Sequence, residues 1–115
     1  MTTLIHGIDL FNRGCYFEAH EAWEEIWTFE QGQRRVFLQA LIHLAVSFHH
    51  HACNNPSGAQ RQLRKGLKKL AAYLPQCEGI DTAAHQVQIA SRKAGIPASA
   101  KVKLFRFHAE RYSES

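Results

Sequence analysis

The feature that most limits the possible fold is the segment from Arg34 to His51, which is apolar almost all round when drawn as an α-helix. At about 100° per residue, its apolar side chains leave no wide polar face. They are Val36, Phe37, Leu38, Leu41, Ile42, Leu44, Val46 and Phe48. Such a helix has to bury most of its circumference against other elements. The segment therefore predicts a helix at the centre of an all-α domain.

One narrow polar seam interrupts this helix. It consists of Gln39, His43, Ser47 and His50, at positions i, i+4, i+8 and i+11. This spacing keeps all four side chains within one sector of the helix. A polar seam on a buried helix needs polar partners on the element that covers it. The sequence therefore predicts a second polar surface facing this one.

A second segment, from Tyr16 to Phe29, places ionisable groups where a core is expected. As a helix it has a broad apolar arc made of Tyr16, Phe17, Ala19, Trp23, Ile26 and Trp27. His20 and Glu24 fall inside that arc at i and i+4, while Glu21 lies at its margin and Glu18 and Glu25 point away. Burying an unpaired charge costs several kcal/mol in practice. His20 and Glu24 are therefore expected to have partners.

The simplest arrangement brings His20 and Glu24 against the seam of the apolar helix. His20, Glu24 and His43 would then form a ligand set that zinc, manganese or iron accepts, and sites of this kind are built in the cores of helical bundles. The surrounding pocket would contain Tyr16, Glu21, Trp23, Trp27, Gln39 and His50. The H-E-x-x-E motif lacks the second histidine of zincins, so one helix does not supply two imidazoles. The first hypothesis is a pocket that binds a divalent metal or a small ligand.

The alternative is a structural role, in which His20 and Glu24 form a buried hydrogen-bonded pair that fixes the register of the two helices. We favour it, because structural ion-pair networks often imitate active sites. The chain would then be a helical interaction or dimerisation module. The pair could also act as a general base with an orienting carboxylate, but no nucleophile or oxyanion donor is identifiable, so no reaction class is predicted.

A third hypothesis concerns the segment after Asn55 and Pro56, which are typical of the N-cap and first residue of a helix. This helix is expected to continue to Leu74, with leucines on its inner side. Its outer side is basic, with Arg61, Arg64, Lys65, Lys68 and Lys69. Such a stripe suits phosphate contacts, but aromatic residues and a recognition-helix pattern are both missing. We expect a solvated face rather than nucleic-acid binding.

The remaining elements complete a bundle of about five helices in one domain, residues 1–115. A first helix is predicted from Thr3 to Arg13, ended by Gly14, and a fifth from Asp81 to Ala94. The tail, residues 95–115, fits an extended segment or a short helix equally well. The formal charge of +4 is mild for a dedicated nucleic-acid binder.

Cysteine usage and hydropathy limit the compartment and the partners. The three cysteines form no C-x-x-C pair, which argues against a disulfide framework and fits a reducing cytoplasm. The N-terminus does not have the pattern of a signal peptide, and polar residues interrupt the longest apolar run, so no membrane span is expected. Apolar surface left at an edge would suit a homodimer.

Several motifs resemble one family. The run FNRGCYFEAHEAWEEIW, followed by FLQALIHLAVSFHH, NNPSGAQRQLRKGLKKLAAYLP and GID, is similar to the domain of unknown function 309 family of small prokaryotic domains. The resemblance covers Leu10 to Asp81 and implies a compact all-helical fold, without implying an activity. The family pattern has glutamine where this chain has His43. A metal site that uses His43 would therefore be peculiar to this chain.

Overall fold

The computed structural model describes residues 3–74, 76–78 and 80–81. The α-helices in this part of the chain are α1 (Leu4–Asn12), α2 (Tyr16–Trp27), α3 (Gly32–Ala52) and α4 (Pro56–Leu70). A 3-10 turn, Ala71–Tyr73, follows α4, and two-residue strands, β1 (Gln76–Cys77) and β2 (Ile80–Asp81), pair antiparallel. The predicted all-α class is confirmed. The predicted fifth helix and the tail, residues 95–115, lie outside the described residues.

Gly14 ends α1 as predicted from the sequence, whereas Thr3, which was expected to be the first helical residue, is the N-cap. Thr3 is the N-cap of α1, and its hydroxyl oxygen accepts a hydrogen bond of 3.1 Å from the His6 amide. Gly14 has φ of +87°, a left-handed conformation that glycine adopts without steric cost. The Cys15 amide then donates to the Leu10 carbonyl at 2.9 Å, so α2 starts immediately after the turn.

The start of α4 also follows its sequence signals. The side-chain oxygen of the N-cap residue Asn55 accepts a hydrogen bond of 3.2 Å from the Gly58 amide, and Pro56 is the first residue of the helix. The preceding residue, Asn54, has φ of +61°, which asparagine tolerates better than most residues.

The predicted boundaries differ from the observed ones by two residues or more at three helix ends. α2 ends at Trp27 rather than Phe29, and α3 starts at Gly32 rather than Arg34. α4 ends at Leu70 rather than Leu74, because the chain tightens into the 3-10 turn. The Tyr73 hydroxyl in this turn donates to the Gln33 carbonyl at 2.9 Å, which fixes the turn against the start of α3.

The core consists of buried side chains from α1, α2, α3 and α4. α1 and α2 are joined through Trp23, which is fully buried and donates its Nε1–H to the Leu4 carbonyl at 3.2 Å. The Phe11 ring of α1 reaches Phe48 of α3, with ring centroids 5.3 Å apart. No helix of the described residues is both long enough and apolar enough to cross a bilayer.

α3 and α4 approach each other closely at Gly66. A Cβ atom added there would lie 2.9 Å from the Leu44 side chain and 3.2 Å from the Ala40 carbonyl oxygen. Only a residue without a side chain lets the two backbones come this near. This contact sets the distance between the polar sides of the two helices.

Candidate functional site

His20 and Glu24 form the predicted pair on α2, but the pair is less buried than expected. The His20 Nε2 atom lies 3.2 Å from a Glu24 carboxylate oxygen, and the two side chains are 20% and 52% exposed. The Phe17 ring lies 5.7 Å from the imidazole and shields it from one side. Glu24 thus lies at the margin of the apolar arc rather than inside it.

The hydrogen-bonding of His20 is incomplete within the described residues. An imidazole whose Nε2 faces a carboxylate donates its proton there when it is neutral, so Nδ1 keeps a lone pair. This Nδ1 is buried and has no hydrogen-bond partner in the described part of the chain. An imidazole oriented by a carboxylate in this way is chemically suited to accept a proton or a hydrogen bond.

Trp27 lies one helical turn beyond Glu24, at the end of α2. The Arg35 guanidinium stacks on its ring, with the guanidinium carbon 3.7 Å from the ring centroid. Arg35 also donates to the carbonyl oxygens of Trp27 and Glu30, both at 3.1 Å. The indole Nε1 of Trp27 is buried and, among the described residues, has no hydrogen-bond partner. Arg35 was not predicted as a functional residue, since an arginine next to a helix end is a common sequence feature.

Two aromatic residues predicted for the pocket belong to the core instead. Trp23 is 0% exposed and bonded to Leu4 of α1, and Tyr16 is 9% exposed, with its ring centroid 5.1 Å from that of Phe11. Burial is the main cause that raises the pKa of Tyr16, with a smaller contribution from Cys15. Both side chains face α1, because they occupy the middle of the apolar arc.

The polar seam of α3 has the facing polar surface that the sequence required, but that surface is on α4. The Ser47 hydroxyl donates to the Ala59 carbonyl at 2.6 Å. His43 Nδ1 lies 2.7 Å from the Gln62 side-chain oxygen. His43 thus contacts α4, whereas the predicted ligand set placed it beside His20 and Glu24 of α2.

The last member of the seam bonds to the N-cap of α4. The side-chain amide of Asn55 donates to His50 Nδ1 at 3.3 Å. Asn55 and Gln62 were missed as seam partners, although their amide side chains are spaced i, i+7 along the predicted helix. That spacing places both on one side of α4, which was the available signal.

The environment of His43 opposes its protonation. Burial is the first cause of its lowered pKa, the hydrogen bond to Gln62 acts in the opposite direction, and the positive charges of Lys69 and Lys65 lower the pKa further. Lys65 and Lys69 follow Gln62 by three and seven residues, so they share the side of α4 that borders the seam.

The metal hypothesis finds no support in this arrangement. Within the described residues, no three His, Cys, Asp or Glu side chains lie close enough to hold one metal ion. A groove of the structure lies along α1 and is lined by Thr3, Ile5, His6, Ile8, Asp9 and Asn12. It contains none of the residues predicted for the pocket.

The remaining candidates surround a partly exposed surface, which we call the open face. Between Val36 and Phe48 of α3, the residues that are not buried are Val36, Gln39, His43 and Val46, and the same line continues to His50. The α2 edge of the open face consists of Phe17, His20, Glu24 and Trp27. The α4 edge consists of Gln62, Lys65 and Lys69.

Charge is separated between the two helices that flank α3. α2 contains no lysine or arginine but has four glutamates, namely Glu18, Glu21, Glu24 and Glu25. α4 contains no acidic residue but has five basic ones, namely Arg61, Arg64, Lys65, Lys68 and Lys69. Four of the five are exposed, Lys69 is half-buried, and none takes part in an ion pair with another described residue. Glu21 is likewise exposed.

The chain belongs to the family described as a domain of unknown function (DUF309), whose model matches residues 4–62, just over half of the 115 residues. Over 58 residues it is 36% identical to the uncharacterized protein YpuF of Bacillus subtilis (strain 168). That region is 50% of this chain and 33% of YpuF, so the match spans about a third of the relative's length. The resemblance to the family is thereby confirmed. The matched region includes His20, Glu24 and the open-face residues of α3, and Lys65 and Lys69 lie beyond it.

Proposed function

We propose that this member of the DUF309 family is a helical interaction module whose open face binds a helix of a protein partner. The proposal rests on the single stripe that α3 leaves uncovered, Val36, Gln39, His43, Val46 and His50. Successive members are three or four residues apart, and every other residue between Val36 and Phe48 is buried. This is the spacing with which one helix packs along another.

The chemistry of the open face indicates the kind of partner. Val36 is 40% exposed and Phe17 is 46% exposed, so each offers apolar surface, while His43 and Gln39 add polar groups. A mixed surface of this kind is typical of interfaces that form and dissociate. The partner helix would carry an apolar seam, a basic edge beside Glu24 and an acidic edge beside the α4 lysines.

Two other functions receive less support from the same surface. A small ligand would have to reach the lone pair of His20 Nδ1, and that atom is buried. Nucleic acid would suit Arg61, Arg64 and Lys68 on the outer side of α4, but the four α2 glutamates on the other side of α3 would repel a wide polyanion. A protein helix with edges of both signs avoids both difficulties.

A synthetic peptide helix of about three heptads provides the test. It carries leucine and valine at the seam, glutamate along one edge and lysine along the other, and its binding to the full chain is followed by fluorescence anisotropy. Wild type is expected to bind it saturably, and Val46→Arg to lose binding. Gln60→Arg is the matched control, because it adds the same charge on an exposed position of α4 outside the open face.

Two results would contradict the proposal. One is equal binding by Val46→Arg and Gln60→Arg, since a specific site on α3 has to distinguish them. The other is equal binding of a peptide with the same composition whose seam residues are scrambled. Amide chemical shifts that change along the α3 stripe would locate the bound peptide independently of affinity.

A further inference from the structure

We infer that the partner helix comes from a second copy of this chain, which binds through its own open face with the two-fold axis parallel to α3. This inference rests on the proposed function and adds the identity and geometry of the partner. The open face contains both halves of a complementary pair: an acidic α2 edge and a basic α4 edge, on opposite sides of one stripe. A symmetric dimer needs one patch that is complementary to itself.

The contacts made by the two ends of α2 show where Glu24 lies along the axis of α3. At the start of α2, the Phe17 ring lies near that of His49, with 5.3 Å between the ring centroids. At the end of α2, Trp27 contacts Arg35. The helices are therefore antiparallel. Glu24 precedes Trp27 by three residues, so it lies level with the part of α3 that follows Arg35 by about one turn, around residues 39–42.

The contacts between α3 and α4 show in the same way where Lys65 lies along the axis of α3. His43 meets Gln62, and Ala40 lies against Gly66. Lys65 comes between Gln62 and Gly66 in the sequence, so it is level with residues 40–43. Glu24 and Lys65 thus lie at about the same height on opposite edges of the open face.

Because Glu24 and Lys65 lie at about the same position along α3, only one orientation of the two-fold axis brings them together. A two-fold axis parallel to α3 exchanges the left and right edges and keeps every height, so Glu24 of each copy faces Lys65 of the other. An axis in the interface but perpendicular to α3 brings α2 over α2 and α4 over α4. That arrangement would place glutamates beside glutamates and lysines beside lysines, which is destabilising.

The same axis makes the two α3 stripes parallel and in register. Val46 then faces Val46 of the other copy, and Gln39 faces Gln39. This is the arrangement of a parallel helix pair, in which apolar residues at seam positions supply contact and polar residues fix the register. The charged edges choose the orientation, and the valines with Phe17 supply apolar contact.

The test is a charge exchange followed by sedimentation equilibrium of the full chain. Wild type is expected to sediment at twice its 13.1 kDa mass. Glu24→Lys alone and Lys65→Glu alone should each raise the dimer dissociation constant by about tenfold or more, since each creates two repulsive contacts. An equimolar mixture of the two variants should restore the dimer, because both cross-contacts become attractive again.

Matched controls come from neighbouring residues outside the open face. Glu25→Lys and Lys68→Glu make the same charge changes at exposed positions, and they should leave the dissociation constant unchanged. Circular dichroism of all four variants verifies that each is folded. If the controls weaken the dimer as much as the face variants do, net charge is responsible and the inference is overturned.

A cross-link tests the axis itself. With Cys15, Cys53 and Cys77 replaced by serine, Val46→Cys treated with a thiol oxidant such as diamide should form a disulfide-linked dimer, whereas Gln60→Cys should still dimerise but form no cross-link. A wild type that remains monomeric, a mixture that fails to associate, or absence of the Val46 cross-link would overturn the inference. If the chain is monomeric but still binds the peptide helix through Val46, the proposed function stands and the second copy is excluded as its partner.

Discussion

The hydroxyl of Ser47 donates a hydrogen bond of 2.6 Å to the carbonyl oxygen of Ala59, and Ser47 is the fully buried polar side chain at the contact of α3 with α4. Both groups are removed from water, so the bond links the two helices at a fixed height. The polar seam of α3 is satisfied there by backbone, without any charged group. This contact therefore contributes to stability and does not require a ligand.

Ser47→Ala is expected to lower the free energy of unfolding by about 1 kcal/mol, because the Ala59 carbonyl loses one of its partners in a buried site. Urea denaturation followed by circular dichroism measures the change. Ser57→Ala serves as control, since its hydroxyl is exposed and makes only a 3.4 Å contact with Asn55. Equal losses in the two variants would mean that the buried bond contributes nothing specific.

Gly66→Ala should destabilise the protein even though alanine favours a helix by about 1 kcal/mol over glycine. The new Cβ would lie 2.9 Å from Leu44, and overpacking of this kind costs about 1–3 kcal/mol. Thermal unfolding of Gly66→Ala in wild type and in a Leu44→Ala background measures the coupling. The penalty should shrink or reverse sign in the second background, and an unchanged penalty would contradict the close approach of the two side chains.

His43 should make stability depend on pH near neutrality. Its folded pKa is lowered, first by burial and then by Lys69 and Lys65, against the effect of the Gln62 hydrogen bond, from an ordinary value of 6.5. In the unfolded chain the imidazole therefore takes up a proton at higher pH than in the folded protein. The stability that neutral His43 contributes is fully present above pH 6.5 and is lost as the pH falls through the folded pKa.

The measurement is the free energy of unfolding of wild type minus that of His43→Gln, followed from neutral to mildly acidic pH. The difference should fall as the medium is acidified. Lys65→Gln provides a matched check, because removing one positive neighbour should raise the pKa of His43 and make the decline shallower. A difference that does not change with pH would contradict the assigned environment.

The sequence predicted α1 to α4 because their signals are local. Gly14, Asn55 and Pro56 act through their own backbone conformation or through an adjacent amide, and apolar spacing determines which side of each helix is buried. The seam from Gln39 to His50 was likewise recognised as a single sector. All of these properties depend on residues within a few positions of each other in the chain.

The neighbour of the seam could not be predicted in the same way. Periodicity specifies that Ser47 and His43 share a side of α3, but α2 and α4 were both available to cover it. The choice depends on Gly66, which lets α4 approach more closely than a larger residue would allow. The exposure of Glu24 was missed for a related reason, since a helical wheel gives directions and not the distance to the next helix.

His20 offers a final test, because two of its features have opposite effects on stability. The ion pair with Glu24 is half exposed and is worth less than about 1 kcal/mol. A buried nitrogen without a partner, as Nδ1 is among the described residues, costs about 1–3 kcal/mol. His20→Leu, which fills a similar volume and removes that nitrogen, should therefore be at least as stable as wild type in urea denaturation. His20→Ala should be less stable, because it removes packing against Phe17. If His20→Leu instead loses as much stability as His20→Ala, the imidazole contributes a stabilising interaction that leucine cannot replace, and the expectation of a net cost from Nδ1 is contradicted.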